Sequence, residues 1–451
     1  MTDSYYQQNN NKKKRGHKKK WTSPDTITMK CYFGIRRFMG IVKKPTLQEY
    51  WTKNHLFETP LFRDLLSYDH FRQIKSSLHF IDENFRNEND FLYKIRPLVD
   101  HLIAVSQSVY FPEKGLSLDE SMIRFNGRSR LKVHMPLKPI KYGFKAYVLA
   151  ESKSGYLLNW NLHNGQYSSL IDIISSLTKN YNHQGHRISM DRFYTSIDTV
   201  EYLNDNGFEV LGAVMKNRAR LSKEIEELTK KFSSGDNSFF CSLNKKLLLT
   251  VWKDIKIVFL FSNIGDNKLG KTRRSYKPTG SNIIYQRKIV DCPNTILNYS
   301  DSARGVDYLD QMMSYYSPIM RSRKWYIAIL LHFLEIALHN SFIIYKKMKD
   351  QKLQFLDFRK AIMESLILEF RQRKLQPSQE QERIKGRSET MLIELQNKDC
   401  ELAYNVKSKC RVCKETKDLS KFTSYWCKTH EFEVCVLKCY DFHRLNLHKN
   451  D

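Results

Sequence analysis

Two aspartates and a basic cluster lie within one short stretch of this sequence, from Gly305 to Trp325. Asp307 and Asp310 are three residues apart, so on a helix both carboxylates share one face. A set of cationic and aromatic side chains begins fourteen residues after Asp307 and comprises Arg321, Arg323, Lys324 and Trp325. Carboxylates next to cationic side chains indicate a metal ion beside a polyanion. The alternative is a solvated acidic helical turn followed by a basic connector.

Two further carboxylates occur where short strand-like segments end. Residues 116–120 alternate apolar and polar side chains and contain Asp119, and residues 186–191 do the same and end in Asp191. A carboxylate at the end of a strand is held rigidly at the edge of a sheet, where sites form. A single such aspartate is also explained by a turn or a helix N-cap. Three acidic positions, each followed by aromatic and basic residues, favour a shared function.

The charge balance indicates a polyanionic partner. The 451 residues include 75 Lys and Arg against 48 Asp and Glu, which gives a net charge of +27. This excess favours nucleic acid over a membrane surface. The longest apolar run, Ala328 to Tyr345, is interrupted by His332, Glu335, His339 and Asn340, so we interpret it as a core helix and expect no membrane partner.

The N-terminal segment 1–27 is interpreted as a disordered basic arm. It contains the run Lys12 to Lys20, in which all but two residues are Lys or Arg. Such a run cannot fold alone. It predicts a nuclear-import signal, and therefore a nuclear location, or a phosphate-binding arm; a tail that only increases solubility is the alternative.

Cysteines are concentrated at the C-terminal end, where five of the nine fall within the last 42 residues. Their Cys-x-x-Cys spacing beside histidines favours zinc thiolates over disulfides. The candidate ligands are Cys410, Cys413, Cys427, His430, Cys435, Cys439 and His443. Seven ligands are one short of two tetrahedral sites, and His448 or a nearby group would supply the eighth. A segment this small needs zinc to fold, which predicts about two Zn²⁺ ions here.

The hydrophobic pattern predicts an α/β chain with several domains. Three strands followed by helix, strand, helix and strand are typical of a ribonuclease H-like core. The predicted parts are a helical DNA-binding or dimerisation domain (28–112), the first part of the core (113–235), a β-rich insertion (236–290), the last acidic helix of the core (291–320), helices returning to the helical domain (321–373), a linker (374–405) and a small zinc-binding domain (406–451).

The chain resembles a piggyBac-type transposase over about three quarters of its length. The resemblance is carried by the order and spacing of several segments, namely Leu118-Asp119-Glu120-Ser121-Met122, Lys138-Pro139-Ile140-Lys141-Tyr142-Gly143-Phe144-Lys145, Met190-Asp191-Arg192-Phe193-Tyr194-Thr195-Ser196, Gly212-Ala213-Val214-Met215-Lys216-Asn217-Arg218, Gly305-Val306-Asp307-Tyr308-Leu309-Asp310-Gln311-Met312, and Arg323-Lys324-Trp325 leading into Asn340-Ser341-Phe342. Each segment is weakly specific by itself, and in this order together they are highly specific.

The resemblance implies a ribonuclease H-like catalytic domain whose acidic triad falls on Asp119, Asp191 and Asp307, with Asp310 as a fourth carboxylate. It implies that water nicks the transposon end, that the freed 3′-hydroxyl forms a hairpin on the opposite strand, and that the reopened end joins a TTAA target. The implied partners are double-stranded DNA, as transposon ends and target, and a second copy of the chain in a homodimer. The cysteine-rich domain of the family binds transposon-end DNA.

The acidic cluster itself predicts dependence on a divalent metal. Carboxylates placed close together repel one another and raise one another's pKa, and a divalent cation removes that penalty. Oxygen ligands select Mg²⁺ or Mn²⁺ over zinc. Two ions would neutralise charge on the attacking and leaving oxygens of a phosphodiester. The four aspartates are therefore expected to hold two Mg²⁺ or Mn²⁺ ions.

Basic side chains near the acidic segments are the candidate DNA contacts. They are Lys141, Lys145, Lys216, Arg218, Arg321, Arg323, Lys324 and Trp325. Phosphate contacts of this kind position DNA without specifying its sequence. For any single lysine, ordinary surface charge is the alternative, and Trp325 could instead anchor the helix that it begins.

A second function competes with DNA transposition. A domesticated descendant that no longer moves DNA would act as a nuclear DNA- or chromatin-binding protein. Loss of an acidic residue would favour this alternative, and the sequence retains Asp119, Asp191, Asp307 and Asp310.

Overall fold

The computed structural model of the chain describes residues 21–81, 87, 90–164, 169–243, 246–265, 267–276, 286–318, 322–349, 353–375, 402–409, 422–427 and 432–433. Two compact units are distinguished, Met1–Leu368 and Glu369–Asp451. The predicted basic arm at residues 1–20 lies outside the described part.

The first unit begins with helices. They are α1 (Thr26–Ile41), α2 (Pro60–Leu65), α3 (Tyr68–Ser77) and α4 (Arg96–Val109), with a 3₁₀ turn at Gln48–Trp51. Asp25 caps α1, since its carboxylate accepts a hydrogen bond of 2.8 Å from the Thr28 amide. Aromatic rings hold the first three helices together: Phe62 lies 4.9 Å from Phe38, and Phe71 lies 4.8 Å from Tyr32.

A mixed but mostly antiparallel sheet follows. Its strands are β1 (Gly115–Arg124), β2 (Val133–His134), β3 (Tyr142–Glu151), β4 (Leu157–Leu162), β5 (Arg187–Met190), β6 (Glu209–Ala213), β7 (Asn237–Cys241), β8 (Leu248–Lys253) and β9 (Ile257–Ser262). The order is β2-β3-β1-β5-β6-β9-β8-β7, with β4 paired to β3. Among these pairs, β1 with β5 and β5 with β6 are parallel.

The central strands of this sheet are buried on both faces, and most of the helices that the chain forms between and after the strands pack against it. The helices are α5 (Leu170–Thr178), α6 (Ile197–Asp205), α7 (Lys223–Lys230), α8 (Asn294–Ser302) and α9 (Gly305–Tyr315). Leu116, Leu149, Ile188 and Val210 on four different strands are each fully buried in one apolar core. Such near-continuous burial is typical of strands that are packed between helices.

The strands predicted as a separate β insertion divide into two groups. β7, β8 and β9 continue the central sheet, because Leu211 of β6 pairs with Ser262 of β9. β10 (Leu269–Tyr276) and β11 (Gln286–Pro293) form a separate two-stranded antiparallel ribbon. The alternating apolar pattern within residues 239–262 predicted strands in the region of β7, β8 and β9 but could not give their partners, since pairing depends on residues far away in sequence.

Two long helices follow, and the second of them extends past Leu368, the last residue of the first unit. They are α10 (Trp325–Lys349) and α11 (Phe355–Leu375). By length and composition α10 could cross a membrane, but 61% of its apolar window is buried inside the protein, as in a core helix. Asn340 of α10 pairs with the backbone of Leu157 in β4 at 3.0 and 3.1 Å. Tyr326 donates a 3.3 Å hydrogen bond to Leu78 O, so α10 links the sheet to the N-terminal helices.

The second unit contains a three-stranded antiparallel sheet. Its strands are β12 (Leu402–Lys409), β13 (Phe422–Cys427) and β14 (Phe432–Glu433). Cys427 is the last residue of β13, and the side chains of all seven candidate zinc ligands lie outside the described residues. The prediction of two zinc sites therefore stays a prediction.

Candidate active site

Strand register places two of the predicted aspartates side by side. β1 and β5 are parallel neighbours, and Leu118 pairs with Met190. Asp119 and Asp191 are the next residues on the two chains, so their side chains emerge at the same level of the sheet. At Asp191 the strand ends in a turn, in which the amide of Tyr194 donates a 3.0 Å hydrogen bond to Asp191 O.

The third aspartate comes from α9, which packs directly on β1. Gly305 begins α9 at a point where a Cβ atom would lie 2.6 Å from Glu151 O and 2.9 Å from Ser117 Cβ, so only glycine fits without a shift of backbone. Ser117 also donates a 2.9 Å hydrogen bond to Ala303 O, just before the helix. This close approach sets Asp307, in the first turn of α9, against the acidic end of the sheet.

Three of the four predicted carboxylates line one cleft of about 380 Å³. Its lining residues are Leu118, Asp119, Lys138, Asp191, Tyr299, Ser300, Ala303, Arg304 and Asp307. The cleft thus contains three carboxylates, two cationic side chains and two hydroxyls. Asp119 and Asp307, which are 188 positions apart in the sequence, meet in this cleft, as the order of the motifs predicts.

The fourth carboxylate has a different position. Asp310 is absent from the lining of the cleft, and its Oδ1 accepts a 2.6 Å hydrogen bond from Ser121 Oγ on β1. The prediction that Asp307 and Asp310 share one helical face is consistent with this contact, since both lie on the side of α9 that faces β1. Asp310 therefore ties α9 to the strand that carries Asp119.

Burial and neighbouring carboxylates raise the pKa values of Asp119 and Asp310. Burial raises the pKa of Asp119 to about 7, with Lys138 opposing the rise and Glu120 and Asp191 adding to it. Burial also raises the pKa of Asp310 to about 6, with Ser121 and Lys138 opposing and Asp307 adding. When the pKa of a carboxyl group is raised in this way, a positive charge placed beside it stabilises its ionised form.

Lys138 supplies a positive charge within the cleft. It lies on the connection between β2 and β3, and its Nζ donates a 3.1 Å hydrogen bond to Glu120 O, next to Asp119. The same nitrogen is 3.9 Å from Glu120 Oε1. The Lys138 side chain is 27% exposed, so its ammonium is partly withdrawn from water.

Two of the predicted DNA-contact residues converge on the aromatic ring that follows Asp191. Lys145 Nζ lies 4.5 Å from the centroid of Phe193, and the Arg218 guanidinium carbon lies 6.0 Å from it. Arg218 also donates a hydrogen bond to Phe193 O. These cation–π contacts bring both cations to the segment directly beyond the cleft.

The other predicted DNA contacts lie apart from one another. Lys216 forms an exposed 3.1 Å ion pair with Glu226, while Lys141 and Arg323 are exposed. Lys324 donates a 2.5 Å hydrogen bond to Ser76 O, and burial lowers its pKa to about 8. The last two predicted DNA contacts are Trp325 and Arg321. Trp325 is half-buried against Tyr326 with ring centroids 5.8 Å apart, and Arg321 lies outside the described residues.

Several residues of the cleft were not selected from the sequence. Tyr299 on α8 faces the carboxylates, and burial together with Asp191, Asp119 and Asp307 raises its pKa. Arg304 sits at the N-terminal boundary of α9 and also lines the cleft. Both precede Asp307 by fewer than ten residues, so their closeness in sequence could have suggested that they lie near the site. Their orientation, however, depends on how α8 packs on the sheet.

The donor chemistry of the cleft fits a divalent cation. Its three carboxylates are oxygen ligands, and a bound cation would relieve the repulsion among them, which contributes to the raised pKa of Asp119. As positioned, the described residues include no group of three or more His, Cys, Asp or Glu side chains close enough together to hold an ion.

Comparison with known proteins finds a matching family and several relatives. A family model described as transposase IS4 matches residues 3–342. The human PiggyBac transposable element-derived protein 3 is 27% identical over 348 residues, which are 74% of this chain and 57% of that protein. Human PiggyBac transposable element-derived protein 2 is 25% identical over 350 residues, 74% of this chain and 58% of that protein. The chain thus aligns with less than two thirds of the length of these relatives.

A solved structure shares the fold. The cryo-EM structure of a piggyBac transposase synaptic complex with hairpin DNA superposes with a TM-score of 0.71 and 21% sequence identity, covering 96% of this chain and 93% of that chain. The match spans the mixed, mostly antiparallel sheet and its helices. With the family model matching about three quarters of the sequence, the chain belongs to the transposase IS4 family, among its piggyBac-type members.

Proposed function

We propose that this protein is a DNA transposase that cleaves and joins phosphodiester bonds in the cleft lined by Asp119, Asp191 and Asp307. The observation that carries the proposal is the convergence of these three carboxylates, from two parallel strands and one helix, on a single cleft. We propose further that the sheet and its helices are a ribonuclease H-like core. The products would be a nick, a hairpin end and a strand joined to a TTAA target.

The three carboxylates would hold two Mg²⁺ or Mn²⁺ ions. Ions bound there would neutralise charge on the attacking and leaving oxygens of the phosphodiester. The protein contributes rigid placement of the ligands. Asp119 pairs with Val148 of β3 and directly follows Leu118, the last residue of β1 that pairs with β5, and its Oδ1 accepts a 2.8 Å hydrogen bond from the Glu120 amide.

Cationic side chains around the cleft would bind the DNA backbone. Lys145 and Arg218 flank Phe193, and Arg304 lines the cleft itself. The net charge of +27 supplies long-range attraction for double-stranded DNA. Tyr299 would place a hydroxyl near the scissile phosphate, because it faces the same carboxylates.

The remaining proposals concern the whole protein. We infer a nuclear location, supported by the basic run from Lys12 to Lys20, and a homodimer that joins two transposon ends. The cysteine-rich tail would hold about two Zn²⁺ ions and contact end DNA. Its support is the spacing of its cysteines and histidines.

The first test is metal-dependent nicking of DNA that carries the element's own ends. Purified protein should nick this DNA with Mg²⁺ or Mn²⁺ and lose activity in EDTA. Asp119→Ala, Asp191→Ala and Asp307→Ala should each abolish nicking, because each removes a ligand of the cleft. Nicking is measured on labelled DNA, and DNA binding is measured in parallel.

Asp301→Ala is the matched control. Asp301 is an exposed aspartate near the end of α8 that lines a different cleft, so its loss should leave nicking unchanged. Normal nicking by Asp307→Ala would refute the proposed site. Tight DNA binding without nicking by the wild-type protein at any metal concentration would instead favour the domesticated DNA-binding function.

A further inference from the structure

The cleft contains a positive charge that the proposed chemistry does not use. Lys138 lines the cleft together with Asp119, Asp191 and Asp307. It is anchored by its 3.1 Å hydrogen bond to Glu120 O, which holds the ammonium beside the strand that carries Asp119. An ammonium fixed by a backbone carbonyl inside an acidic cleft cannot move far from the carboxylates.

The electrostatic influence of Lys138 reaches two different acidic residues. Lys138 lines the cleft with Asp119, which follows the part of β1 that pairs with β5, and with Asp307 of α9. Its Nζ also lies 3.9 Å from the Glu120 carboxylate, whose side chain is only 14% exposed and whose Oε2 has no hydrogen-bond partner. One ammonium therefore faces negative groups on both elements that build the site.

We infer that Lys138 is the internal counter-ion of the catalytic cleft. Its ammonium offsets the repulsion among the carboxylates while the divalent ions are absent, and it opposes the binding of those ions because like charges repel. This inference rests on the proposed function, since it treats the cleft as a metal site. Lys138 is thus a positioning residue that keeps the cleft assembled between catalytic cycles.

Two consequences separate this role from a structural tether. A counter-ion stabilises the metal-free protein more than the metal-bound protein, since in the bound state the cation already neutralises the carboxylates. Removing the ammonium should also strengthen metal binding, because one unit of opposing charge is lost. A tether that only fixes Glu120 O would act in the opposite direction, since a looser Asp119 would bind metal more weakly.

The experiment measures Mn²⁺ binding and thermal unfolding of the full-length protein without DNA. Lys138→Gln should unfold several degrees below wild type in EDTA, and saturating Mn²⁺ should remove most of this difference. Its Kd for Mn²⁺, measured by titration calorimetry, should be about three- to tenfold lower than that of wild type, as expected for loss of one nearby charge. Lys138→Arg keeps the charge and should resemble wild type in both measurements.

Lys132→Gln is the matched control. Lys132 lies on the preceding connection, between β1 and β2, and its Nζ donates a 3.0 Å hydrogen bond to Gly127 O, but it does not line the cleft. This variant should leave the Kd for Mn²⁺ unchanged.

The outcomes distinguish the inference from the function on which it rests. An unchanged or weaker Mn²⁺ affinity in Lys138→Gln, with wild type binding normally, would overturn the counter-ion role alone. Failure of the wild-type protein to bind Mn²⁺, or binding unaffected by Asp119→Asn and Asp307→Asn, would overturn the proposed metal site and the counter-ion together.

Discussion

The two aspartates of α9 differ in what they contact, although they are only three residues apart. Asp307 lines the cleft, whereas Asp310 accepts a hydrogen bond from Ser121. A residue that orients the helix carrying a ligand tunes a metal site, and its loss costs less than the loss of the ligand itself. In the structure, these carboxylates, which the family motif treats as one group, thus have different contacts, from which we expect different effects on activity.

Replacement of Asp310 tests this division. Asp310→Asn should reduce the rate of DNA nicking about 10- to 100-fold and leave it measurable, as is typical when an outer partner of a metal ligand is lost. Asp307→Asn should abolish nicking. Ser121→Ala removes the same hydrogen bond from the other side and should resemble Asp310→Asn in single-turnover assays. If Asp310→Asn were as inactive as Asp307→Asn, Asp310 would be a direct ligand.

The residue types of the site could be predicted from the sequence, but several of their contacts could not. Asp119 and Asp191 follow strand-like segments, and the pattern of those segments predicted a sheet edge. Their adjacency depends on the pairing of Leu118 with Met190, which are 72 residues apart, and no local pattern encodes that pairing. Lys138 was part of a recognised motif, yet nothing in its spacing indicates that it enters the cleft.

At the scale of elements, a buried ion cluster joins three helices. Glu335 of α10 is 3% exposed and forms ion pairs with Arg37 of α1 and with Arg359 of α11. Burial lowers the pKa of Arg37, and Glu335 opposes that change. Arg359 also donates a 3.0 Å hydrogen bond to Tyr316 O, just beyond α9. The cluster therefore connects the N-terminal helices to the end of the helix that carries Asp307.

Removal of the Glu335 charge should be costly. Glu335→Gln leaves two largely buried guanidinium groups without a counter-charge, so the free energy of unfolding should fall by about 3–5 kcal/mol. Asp357→Ala is the control, because the Asp357–Lys360 pair is about half exposed and should contribute less than about 1 kcal/mol. Both are measured by urea denaturation. If both variants lowered the free energy of unfolding by the same amount, the buried cluster would contribute no more to stability than an exposed ion pair.

Periodicity identified most elements but not how they are grouped. The alternating pattern within residues 239–262 predicted strands, and the structure has strands there. However, β9 pairs with β6 and so extends the central sheet. The predicted linker begins at residue 374, and α11 continues to Leu375. The mixed α/β class is confirmed, whereas the ribonuclease H-like identity of the core and the domain boundaries stay predictions.

At the scale of the whole molecule, we expect charge and sequence specificity to come from different parts of the chain. The net charge of +27 belongs mainly to residues before the cysteine-rich tail. Residues 400–451 contain ten Lys and Arg against seven Asp and Glu, so their deletion lowers the net charge only to +24. Sequence-independent affinity for DNA, which depends on phosphate neutralisation, should therefore survive the deletion almost unchanged.

The tail should matter for recognition of transposon ends, because discrimination among sequences needs contacts to base edges from a defined module. Deletion of residues 400–451 should weaken binding to end DNA far more than binding to random DNA, measured by fluorescence anisotropy at fixed salt. Cys413→Ser and Cys427→Ser should reproduce the deletion and lower the zinc content from about two ions per chain, since thiolate ligands hold the segment folded. An unchanged ratio of the two affinities would assign specificity elsewhere, to the helices α1 to α4. Zinc retained by both cysteine variants would show that these thiolates are not its ligands.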